Sequence, residues 1–332
     1  MTSFLDGKSV LVTGATGSFG KRFIKAVLEA HSPRRLVVFS RDELKQFEMQ
    51  EPLQSPKLHY VLGDVRDQER LYRAIDGIEV VIHAAAMKQV PASEFNPMEA
   101  IKTNVIGAEN VINACIDQEV ERVIALSTDK SVNPVNLYGA TKLCADKLFT
   151  AANGLSGRHR TRFSLVRYGN VIGSRGSVIP YFIQRRPTGV LPITDVRMTR
   201  FWITRGQGVQ FVLDCLERMQ GGEVFVPKIP SMKVTDVARV VAPECRTEII
   251  GIRPGEKLHE VLVTQDDARY TAEFDRYYTI QPAAHWWDRE RYLRESGGRA
   301  VAENFQYSSD TNPDWMMPEQ LVEILKHESI ET

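Results

Sequence analysis

The stretch Val10-Leu-Val-Thr-Gly14-Ala-Thr-Gly17-Ser-Phe-Gly20 decides the fold. It places three glycines at a spacing of three, directly after a short apolar run and before a helical pattern. Glycine permits a tight turn and lets backbone N–H groups approach a pyrophosphate, which then lies at the positive end of the helix. Thr16 stands where the common G-x-G-x-x-G fingerprint has its middle glycine. The stretch predicts a strand, a dinucleotide-binding loop and a helix; a turn without any ligand is the alternative.

Short apolar runs alternate with helical patterns through the first half of the chain. The predicted strands cover 9–13, 35–39, 58–62, 80–83, 123–127 and 163–167, and the predicted helices cover 19–30, 41–50, 69–75, 97–118 and 136–152. Continuous Val, Ile and Leu runs are typical of parallel strands that helices cover on both faces. The sequence therefore predicts an α/β fold, a Rossmann-like doubly wound parallel sheet.

The rhythm of strands and helices breaks after about residue 170, where prolines separate short segments. We expect residues 1–170 to form the dinucleotide-binding domain, with a later strand and helix contributed from near 205–228. Residues 171–332 are then mainly a smaller, irregular substrate-binding region. The segment 265–312 has no clear period and is predicted as surface-packed coil or short helix.

Composition excludes several classes of protein. The 332 residues carry 42 Lys+Arg and 42 Asp+Glu, whereas a general nucleic-acid binder needs a cationic excess. The sequence contains neither an apolar run near the ~20 residues of a membrane span nor a signal-peptide pattern. Its four cysteines show no zinc-site or disulfide spacing, which favours a reducing compartment. We expect a cytoplasmic protein with a small-molecule partner and no metal, nucleic acid or membrane.

The end of the second predicted strand should meet the adenosine ribose of the dinucleotide. An acid commonly stands there to accept from a free 2′-hydroxyl, but this chain reads Phe39-Ser40-Arg41-Asp42-Glu43. Arg41 can pair with a 2′-phosphate, which favours NADP; a solvated surface charge is the alternative. After the third predicted strand, Asp64 either accepts the adenine amino group or caps the next helix.

Two candidate catalytic groups follow the fifth predicted strand. Tyr138 and Lys142 are four residues apart on one helix face, and an ammonium beside a phenol lowers the phenol pKa from about 10 towards working pH. Thr128 and Asp129 offer a hydroxyl and a carboxyl for acid chemistry. Lys130 can act as a base only if its pKa falls from about 10.4 towards 7, which opposes its charged form by about 4 kcal/mol. A structural salt bridge between Lys130 and Asp129 is the alternative.

Taken together, the motifs resemble the extended short-chain dehydrogenase/reductases, whose glycine loop has the form T-G-x-x-G-x-x-G. More narrowly, the chain resembles the inverting UDP-N-acetylglucosamine 4,6-dehydratases of the pseudaminic-acid type. Besides the glycine loop, the resemblance rests on Ser40-Arg-Asp-Glu-Leu-Lys45, His83-Ala-Ala-Ala-Met-Lys-Gln-Val-Pro91, Lys102-Thr-Asn104, Ser127-Thr-Asp-Lys130, Asn136-Leu-Tyr-Gly-Ala-Thr-Lys142, Arg167-Tyr-Gly-Asn-Val171 and Arg253-Pro-Gly-Glu-Lys-Leu-His-Glu260. Retaining dehydratases of related sugar nucleotides have Thr-Asp-Glu where this chain has Thr128-Asp129-Lys130, so the lysine discriminates between the two groups.

The resemblance implies a three-stage reaction on UDP-N-acetylglucosamine. Tyr138 takes the C4 hydroxyl proton while hydride passes from C4 to NADP⁺, and Lys142 holds the ribose. Lys130 removes the C5 proton and Asp129, near Thr128, protonates the departing C6 hydroxyl. Hydride returns to C6 and C5 is reprotonated from the opposite face, giving UDP-2-acetamido-2,6-dideoxy-β-L-arabino-hexos-4-ulose. NADP is thus recycled within each turnover, in a first step towards pseudaminic acid or a related surface glycan.

The resemblance also implies the binding residues and a homo-oligomer. The expected cofactor contacts are Gly14, Thr16, Gly17, Ser18, Phe19, Gly20, Ser40, Arg41, Asp42, Lys45, Asp64, Val65, Ala84, Ala85, Lys88, Leu126, Ser127, Tyr138 and Lys142. The expected substrate contacts are Lys88, Tyr138, Asn170, Val178, Arg200, Arg253 and Glu256. The two arginines suit an anionic diphosphate, and Glu256 can orient Arg253 or hold a ribose hydroxyl.

Three rival functions remain open at this point. A C5-retaining dehydratase and a UDP-sugar epimerase would use the same scaffold, and product stereochemistry separates them from the inverting reaction. A non-catalytic NADP-sensing regulator would keep the glycines but would not need Asp129, Lys130, Tyr138 and Lys142.

Overall fold

The structure is a computed structural model that describes residues 3–157, 160–328 and 330. Its strands are β1 (Ser9–Thr13), β2 (Arg35–Ser40), β3 (Leu58–Leu62), β4 (Val80–His83), β5 (Arg122–Thr128), β6 (Arg162–Tyr168), β7 (Asn170–Val171), β8 (Val190–Ile193), β9 (Thr199–Ile203), β10 (Val224–Pro227), β11 (Ser231–Lys233), β12 (Arg246–Ile249), β13 (Val261–Val263), β14 (Thr271–Glu273), β15 (Tyr277–Ile280), β16 (Arg299–Ala300) and β17 (Tyr307–Ser308).

The helices alternate with these strands in the first half of the chain. They are α1 (Ser18–Ala30), α2 (Glu43–Gln50), α3 (Gln68–Ile75), α4 (Val90–Phe95), α5 (Pro97–Ile101), α6 (Gly107–Asp117), α7 (Leu137–Leu155), α8 (Val178–Arg185), α9 (Arg205–Arg218), α10 (Val234–Val241), α11 (Gln265–Ala268), α12 (Arg289–Ser296) and α13 (Pro318–His327). Short 3₁₀ turns at Asp129–Ser131 and Arg186–Thr188 and a π-helical turn at Lys102–Ile106 complete the set in the described residues.

A ten-stranded sheet in the order β16-β14-β15-β10-β6-β5-β4-β1-β2-β3 organises the described part of the chain. The strands from β3 to β10 run parallel, and β15, β14 and β16 continue the sheet antiparallel. The core order 3-2-1-4-5-6 is that of a doubly wound dinucleotide-binding sheet. The predicted fold class is therefore confirmed.

The central strands form because their side chains are buried on both faces. Every residue of β1 and β4 is buried, and the helices that flank the sheet contribute apolar faces such as Phe23, Ile24 and Val27 of α1. Pairing aligns Thr13 with both Phe39 and His83. The loops that follow these three residues therefore leave the sheet at one edge, where the strand order reverses and a crevice opens.

The predicted helix over 97–118 is interrupted. Lys102–Ile106 forms a π-helical turn between α5 and α6, a feature that often marks functional positions inside helices. Its Asn104 accepts from the Met87 N–H at 2.8 Å and donates to the Met87 carbonyl and to Thr141. The turn thus fixes the loop after β4 against α7.

The prediction of coil or short helix over 265–312 is wrong in part. This segment contributes β14, β15 and β16 to the large sheet, and β15 pairs antiparallel with β10. The strands are only two to four residues long, so their alternation was too short to recognise. The strand β10 lies inside the segment 205–228 that we expected to join the sheet, and α9 packs against α1.

A second, smaller apolar core lies in the C-terminal half. It is built by α8, α10, β8, β9 and α13 around residues such as Phe182, Trp202 and Val237. Within the described ranges, every helix falls short of the length and apolar character that crossing a bilayer requires.

Candidate active site

A cavity of about 1020 Å³ opens at the carboxyl ends of β1 to β5. All the residues predicted to contact the cofactor line it, together with Thr128, Lys130, Asn170, Val178 and Arg253. Asp129, Arg200 and Glu256 are not among the lining residues. We name the part that the glycine loop and α1 enclose the cofactor half, and the part around Lys130, Asn170 and Arg253 the sugar half.

The glycine loop is built so closely that side chains are excluded. Gly14 has a positive φ of 65°, and a Cβ there would lie 2.8 Å from the Ala85 backbone. A Cβ on Gly20 would lie 2.4 Å from the Ala15 backbone. Gly17 is the N-cap of α1 and supplies no side-chain cap, so the first N–H groups of the helix remain available for an anion.

Buried polar groups hold the floor of this loop. The Thr13 hydroxyl oxygen accepts from the N–H groups of Ala84 and Ala85 at 3.2 Å and lies 2.9 Å from the His83 imidazole. Burial, together with the charge of Lys142, lowers the pKa of His83 to about 3. The imidazole is therefore neutral and serves to join the ends of β1 and β4.

The adenosine end of the cavity carries two predicted cations and two carboxylates. Arg41 is 59% exposed and lies 3.6 Å from Asp64, while Lys45 pairs with Asp42. Asp42 caps α2 by accepting from the Lys45 N–H at 3.0 Å, and Lys45 holds the pKa of this carboxyl below its ordinary value. The cavity lining also includes a further cation, Lys21, which the sequence did not indicate.

Asp64 does not cap the following helix. The N-cap of α3 is Asp67, so the capping alternative for Asp64 is wrong. Burial opposes ionisation of Asp64, but Arg66 donates to it through its backbone N–H, Nε and Nη2, and the pKa stays below its ordinary value. This carboxylate is held ionised at the rim of the cofactor half.

Tyr138 and Lys142 are both buried in α7, at 8% and 5% exposure. Burial raises the pKa of Tyr138 to about 12, and the charge of Lys130 and the Thr128 hydroxyl oppose this rise. Lys142 donates to the Leu126 carbonyl at 2.8 Å, and burial lowers its own pKa. In the empty cavity desolvation dominates the pKa of Tyr138 and the main opposing cation is Lys130, so the lowering of the phenol pKa by Lys142 stays a prediction.

Lys130 lies among polar groups from its own segment and from two distant ones. Its Nζ lies 2.9 Å from Asp129 Oδ1, 3.3 Å from Asn170 Oδ1 and 3.6 Å from Glu260 Oε1. Burial would lower the pKa of Lys130, but the carboxylates of Asp129 and Glu260 raise it above its ordinary value. The condition that the sequence analysis set for Lys130 as a base, a lowered pKa, is not met in this state. The predicted alternative, an ion pair with Asp129, is present.

Asp129 is completely buried. Its Oδ1 accepts from the Thr128 hydroxyl at 3.0 Å and from Lys130. Its Oδ2 has no hydrogen-bond partner among the described residues. This second oxygen can therefore still accept a hydrogen bond.

Two predicted substrate residues lie behind the cavity wall. Arg200 is 8% exposed and donates to the carbonyls of Thr199, Lys257 and Leu258, so its donors already serve the backbone. Glu256 pairs with Arg253, which is 64% exposed at its side chain. The expected diphosphate contact by Arg200 is thus not supported by its placement, and Glu256 orients Arg253 as one of its predicted alternatives states.

The cavity is also lined by residues to which the sequence analysis gave no role, although the first five of them lie inside the quoted motif strings. They are Gln89, Val90, Thr103, Tyr168, Gly169, Ser174, Arg175, Gly176, Ser177 and Ile330. Lys88 donates to the Arg175 carbonyl at 3.0 Å, so the loop before α8 closes against the loop after β4. Irregular loops lack periodicity, and only the string around Asn170 gave a signal for this region.

Three features together define the class of the protein as an extended short-chain dehydrogenase/reductase: the strand order, the glycine loop and the Tyr138–Lys142 pair. The sequence profile described as "Polysaccharide biosynthesis protein" matches residues 10–282, and the chain belongs to this family. The predicted resemblance is confirmed.

Three relatives illustrate the similarity. A "UDP-N-acetylglucosamine 4,6-dehydratase (inverting)" of Campylobacter jejuni subsp. jejuni serotype O:2 is 54% identical over 326 residues, which cover 96% of this chain and 98% of that protein. A UDP-glucose 4-epimerase of Rickettsia canadensis is 40% identical over 314 residues, 92% of each chain. The X-ray structure of Pen from Bacillus thuringiensis has a TM-score of 0.88 and 35% identity, and the match covers 98% of both chains.

Proposed function

We propose that the protein is an inverting UDP-N-acetylglucosamine 4,6-dehydratase, which forms UDP-2-acetamido-2,6-dideoxy-β-L-arabino-hexos-4-ulose. The observation that carries this proposal is the position of Lys130. Its Nζ lies between Asp129 and Asn170 in the cavity that also contains Tyr138. The candidate base and the alcohol-activating phenol thus line one cavity, and the candidate acid, Asp129, lies 2.9 Å from Lys130 although it does not itself line the cavity. The near-full-length likeness to the Campylobacter enzyme supports the same assignment.

The cofactor that we propose is NADP. The open N-terminus of α1 and the side-chain-free approach at Gly14, Gly17 and Gly20 fit a pyrophosphate. Arg41, with Lys45 on the same rim, suits a 2′-phosphate better than a free hydroxyl. The chemistry that the nicotinamide supplies when bound is acceptance of hydride from C4 and its return to C6.

In the first stage, Tyr138 takes the proton of the C4 hydroxyl. Its pKa of about 12 makes the phenolate scarce in the empty cavity, so positive charge must favour it during the reaction. Lys130 supplies such a charge, because it is an ammonium at this point and acts on the phenol. Lys142 lines the cofactor half, where it holds the ribose.

In the second stage, a proton must move within the Asp129–Lys130 ion pair. The C4 ketone acidifies the C5 hydrogen, and removing it requires a neutral amine, whereas protonating the C6 hydroxyl requires a carboxylic acid. One proton that moves from Lys130 Nζ to Asp129 Oδ1, over 2.9 Å, produces both groups at once. The C5 proton then passes to the amine, and the carboxylic proton leaves with the C6 oxygen as water.

Protonation of Tyr138 favours this exchange. When the phenolate takes the C4 proton, Lys130 loses a neighbouring negative charge and holds its own proton less firmly. The first stage thus prepares the second. In the third stage C5 takes a proton on the opposite face, and Tyr138 gives up the proton that it took from the C4 hydroxyl. Tyr138, Lys130 and Asp129 thus return to the charge states in which the turnover began.

Product configuration tests the proposed function. Purified protein with NADP⁺ and UDP-N-acetylglucosamine should yield a 4-keto-6-deoxy sugar whose NMR couplings report the L-arabino configuration. A D-xylo product would assign a retaining dehydratase instead, and a C4 epimer without loss of water would assign an epimerase. Bound NADP with unchanged substrate would assign a sensor.

We place the reaction in the cytoplasm, as a first step towards pseudaminic acid or a related surface glycan. All four cysteines, Cys115, Cys144, Cys215 and Cys245, are free thiols, which accords with a reducing compartment. A homo-oligomer remains a prediction from the family resemblance.

A further inference from the structure

We propose that Glu260 is a positioning residue that keeps the proton on Lys130 until the C4 ketone has formed. The inference rests on the proposed function of Lys130 as the C5 base. Glu260 precedes β13 and belongs to the Arg253–Glu260 string, but the sequence analysis gave it no role. It does not line the cavity, and it acts on the reaction only through Lys130.

The geometry around Glu260 is that of a buried anion shared by three cations. The residue is 2% exposed. Its Oε1 lies 3.6 Å from Lys130 Nζ and 3.7 Å from Arg200 Nε, and its Oε2 lies 3.5 Å from Lys257 Nζ. Its backbone is fixed by Ser309, which accepts from the Glu260 N–H at 2.9 Å. The carboxylate therefore has little freedom to leave Lys130.

Arg200 and Lys257 hold Glu260 in place beside Lys130. Arg200 is anchored on three carbonyls, and Lys257 donates to the carbonyls of Val132 and Asp129. These two fixed cations offset part of the free-energy cost of burying the carboxylate. Asp129, at 2.9 Å, remains the nearer acceptor for the proton of Lys130, whereas Glu260 lies 3.6 Å away.

The other groups that face Lys130 define what Glu260 adds. Asp129 is its exchange partner, Asn170 and Thr128 are neutral, Tyr138 carries charge only as phenolate, and Arg200 opposes the ammonium. Without Glu260, the cations Arg200 and Lys257 would face Lys130 with Asp129 as the one carboxylate in the described cluster. The ammonium would lose its proton earlier, before it had favoured the phenolate of Tyr138.

The test changes the charge at 260 and follows Lys130 in two ways. Glu260→Gln should move the acid limb of the kcat–pH profile for substrate deuterated at C5 to lower pH by about one unit. The Asp129–Lys130 pair, which shares one proton, takes up a second proton less readily once the negative charge of Glu260 is gone. At fixed pH, modification of Lys130 by trinitrobenzenesulfonate, read by peptide mass spectrometry of the cofactor-loaded protein, should accelerate about tenfold. Glu260→Asp keeps the charge and should keep the native limb.

We expect a second variant to shift both measurements in the opposite direction. Lys257→Met removes a cation that lies beside Glu260. This variant should move the acid limb to higher pH and slow the modification of Lys130. If Glu260→Gln does not fold, the Lys257→Met result decides the question. Glu223→Gln, which removes another buried carboxylate far from Lys130, should leave both readouts unchanged. If Glu260→Gln has the same acid limb in its kcat–pH profile and the same Lys130 reactivity as the native protein, the proposed role of Glu260 is overturned. Failure of the proposed function looks different, because the native protein would then form no 4-keto sugar.

Discussion

Lys142 in the cofactor half and Lys130 in the sugar half share one cavity, but their surroundings differ. Lys142 is buried with Asp146 as the carboxylate that acts on it, and its pKa falls below the ordinary value. Lys130 is also desolvated, but Asp129 and Glu260 both face it, and its pKa rises. The two carboxylates that face Lys130 outweigh its desolvation, whereas the single carboxylate that acts on Lys142 does not. In the cofactor half, Lys142 therefore serves as a fixed cation that binds the ligand. In the sugar half, Lys130 carries a proton that it must release during the reaction.

Tyr138 lies between the two halves, and its substitution should have the largest effect. Tyr138→Phe removes the group that accepts the C4 proton, so kcat should fall about 10²–10⁴-fold, the usual contribution of general base catalysis. Absorbance of reduced nicotinamide in a single turnover measures the first hydride step. Tyr60→Phe, which loses a hydrogen bond to the Met49 carbonyl outside the cavity, is the matched control. Normal hydride transfer in Tyr138→Phe would refute the role of the phenol.

The two lysines should give contrasting variants. Lys130→Ala should bind NADP normally, carry out C4 oxidation slowly and lose dehydration about 10²–10⁴-fold, because the C5 base is gone. Lys142→Ala should instead weaken NADP binding. Calorimetric titration with NADP and quantification of the 4-keto product separate the two effects.

Lys228→Ala, which breaks an ion pair with Glu273 away from the cavity, should change neither NADP binding nor product formation. Equal loss of cofactor affinity in Lys130→Ala and Lys142→Ala would break the division of the cavity into two halves.

The cofactor half should respond to a single added methyl group. In Gly20→Ala the Cβ would lie 2.4 Å from the Ala15 backbone, so the loop must shift, and the free energy of unfolding should fall by about 1–3 kcal/mol. Thermal unfolding with and without NADP measures the change and the lost ligand stabilisation. Gly7→Ala has a positive φ but open space around the Cβ, and should retain NADP stabilisation. An unaltered NADP response in Gly20→Ala would contradict the assigned packing.

The smallest effect should fall on cofactor choice. Arg41→Ala should weaken NADP binding about tenfold and leave NAD binding unchanged, because a charge-assisted contact to the 2′-phosphate is lost at an exposed site. Dissociation constants for both cofactors at constant ionic strength report this difference. Arg34→Ala, at the opposite end of β2, serves as the control. Equal weakening of NADP and NAD would exclude a contact to the 2′-phosphate.

The cofactor half could be predicted well because its signals are local. The boundaries of β1, β3 and β4 match the predicted strands, since continuous apolar runs ended by Gly14, Gly63 and the loop after His83 define them. The helices were predicted to start at Arg41 and Asn136, and the N-cap residues are Asp42 and Asn136. Because the strand β1, the glycine loop and the helix α1 follow one another in the sequence, their sequence pattern is enough to predict that they contact one another.

The sugar half could be predicted only in its separate parts. The motif residues Lys130 and Glu260 were both quoted, but nothing in either string indicates that they lie 3.6 Å apart. Arg200 is a similar case. An arginine suits a diphosphate, but in the structure its guanidinium donates to the backbone carbonyls of residues 257 and 258. The pKa directions of Tyr138 and Lys130 could not be predicted, because they depend on burial and on carboxylates from other segments.

The fate of the C5 hydrogen tests the central claim most directly. In an inverting reaction, Lys130 removes this proton from one face and a proton from a different source enters on the other, so the original hydrogen cannot return. UDP-N-acetylglucosamine converted in D₂O should give a product with deuterium at C5 in every molecule and the former C4 hydrogen at C6, as read by NMR. A product that retains its original hydrogen at C5 would contradict the account.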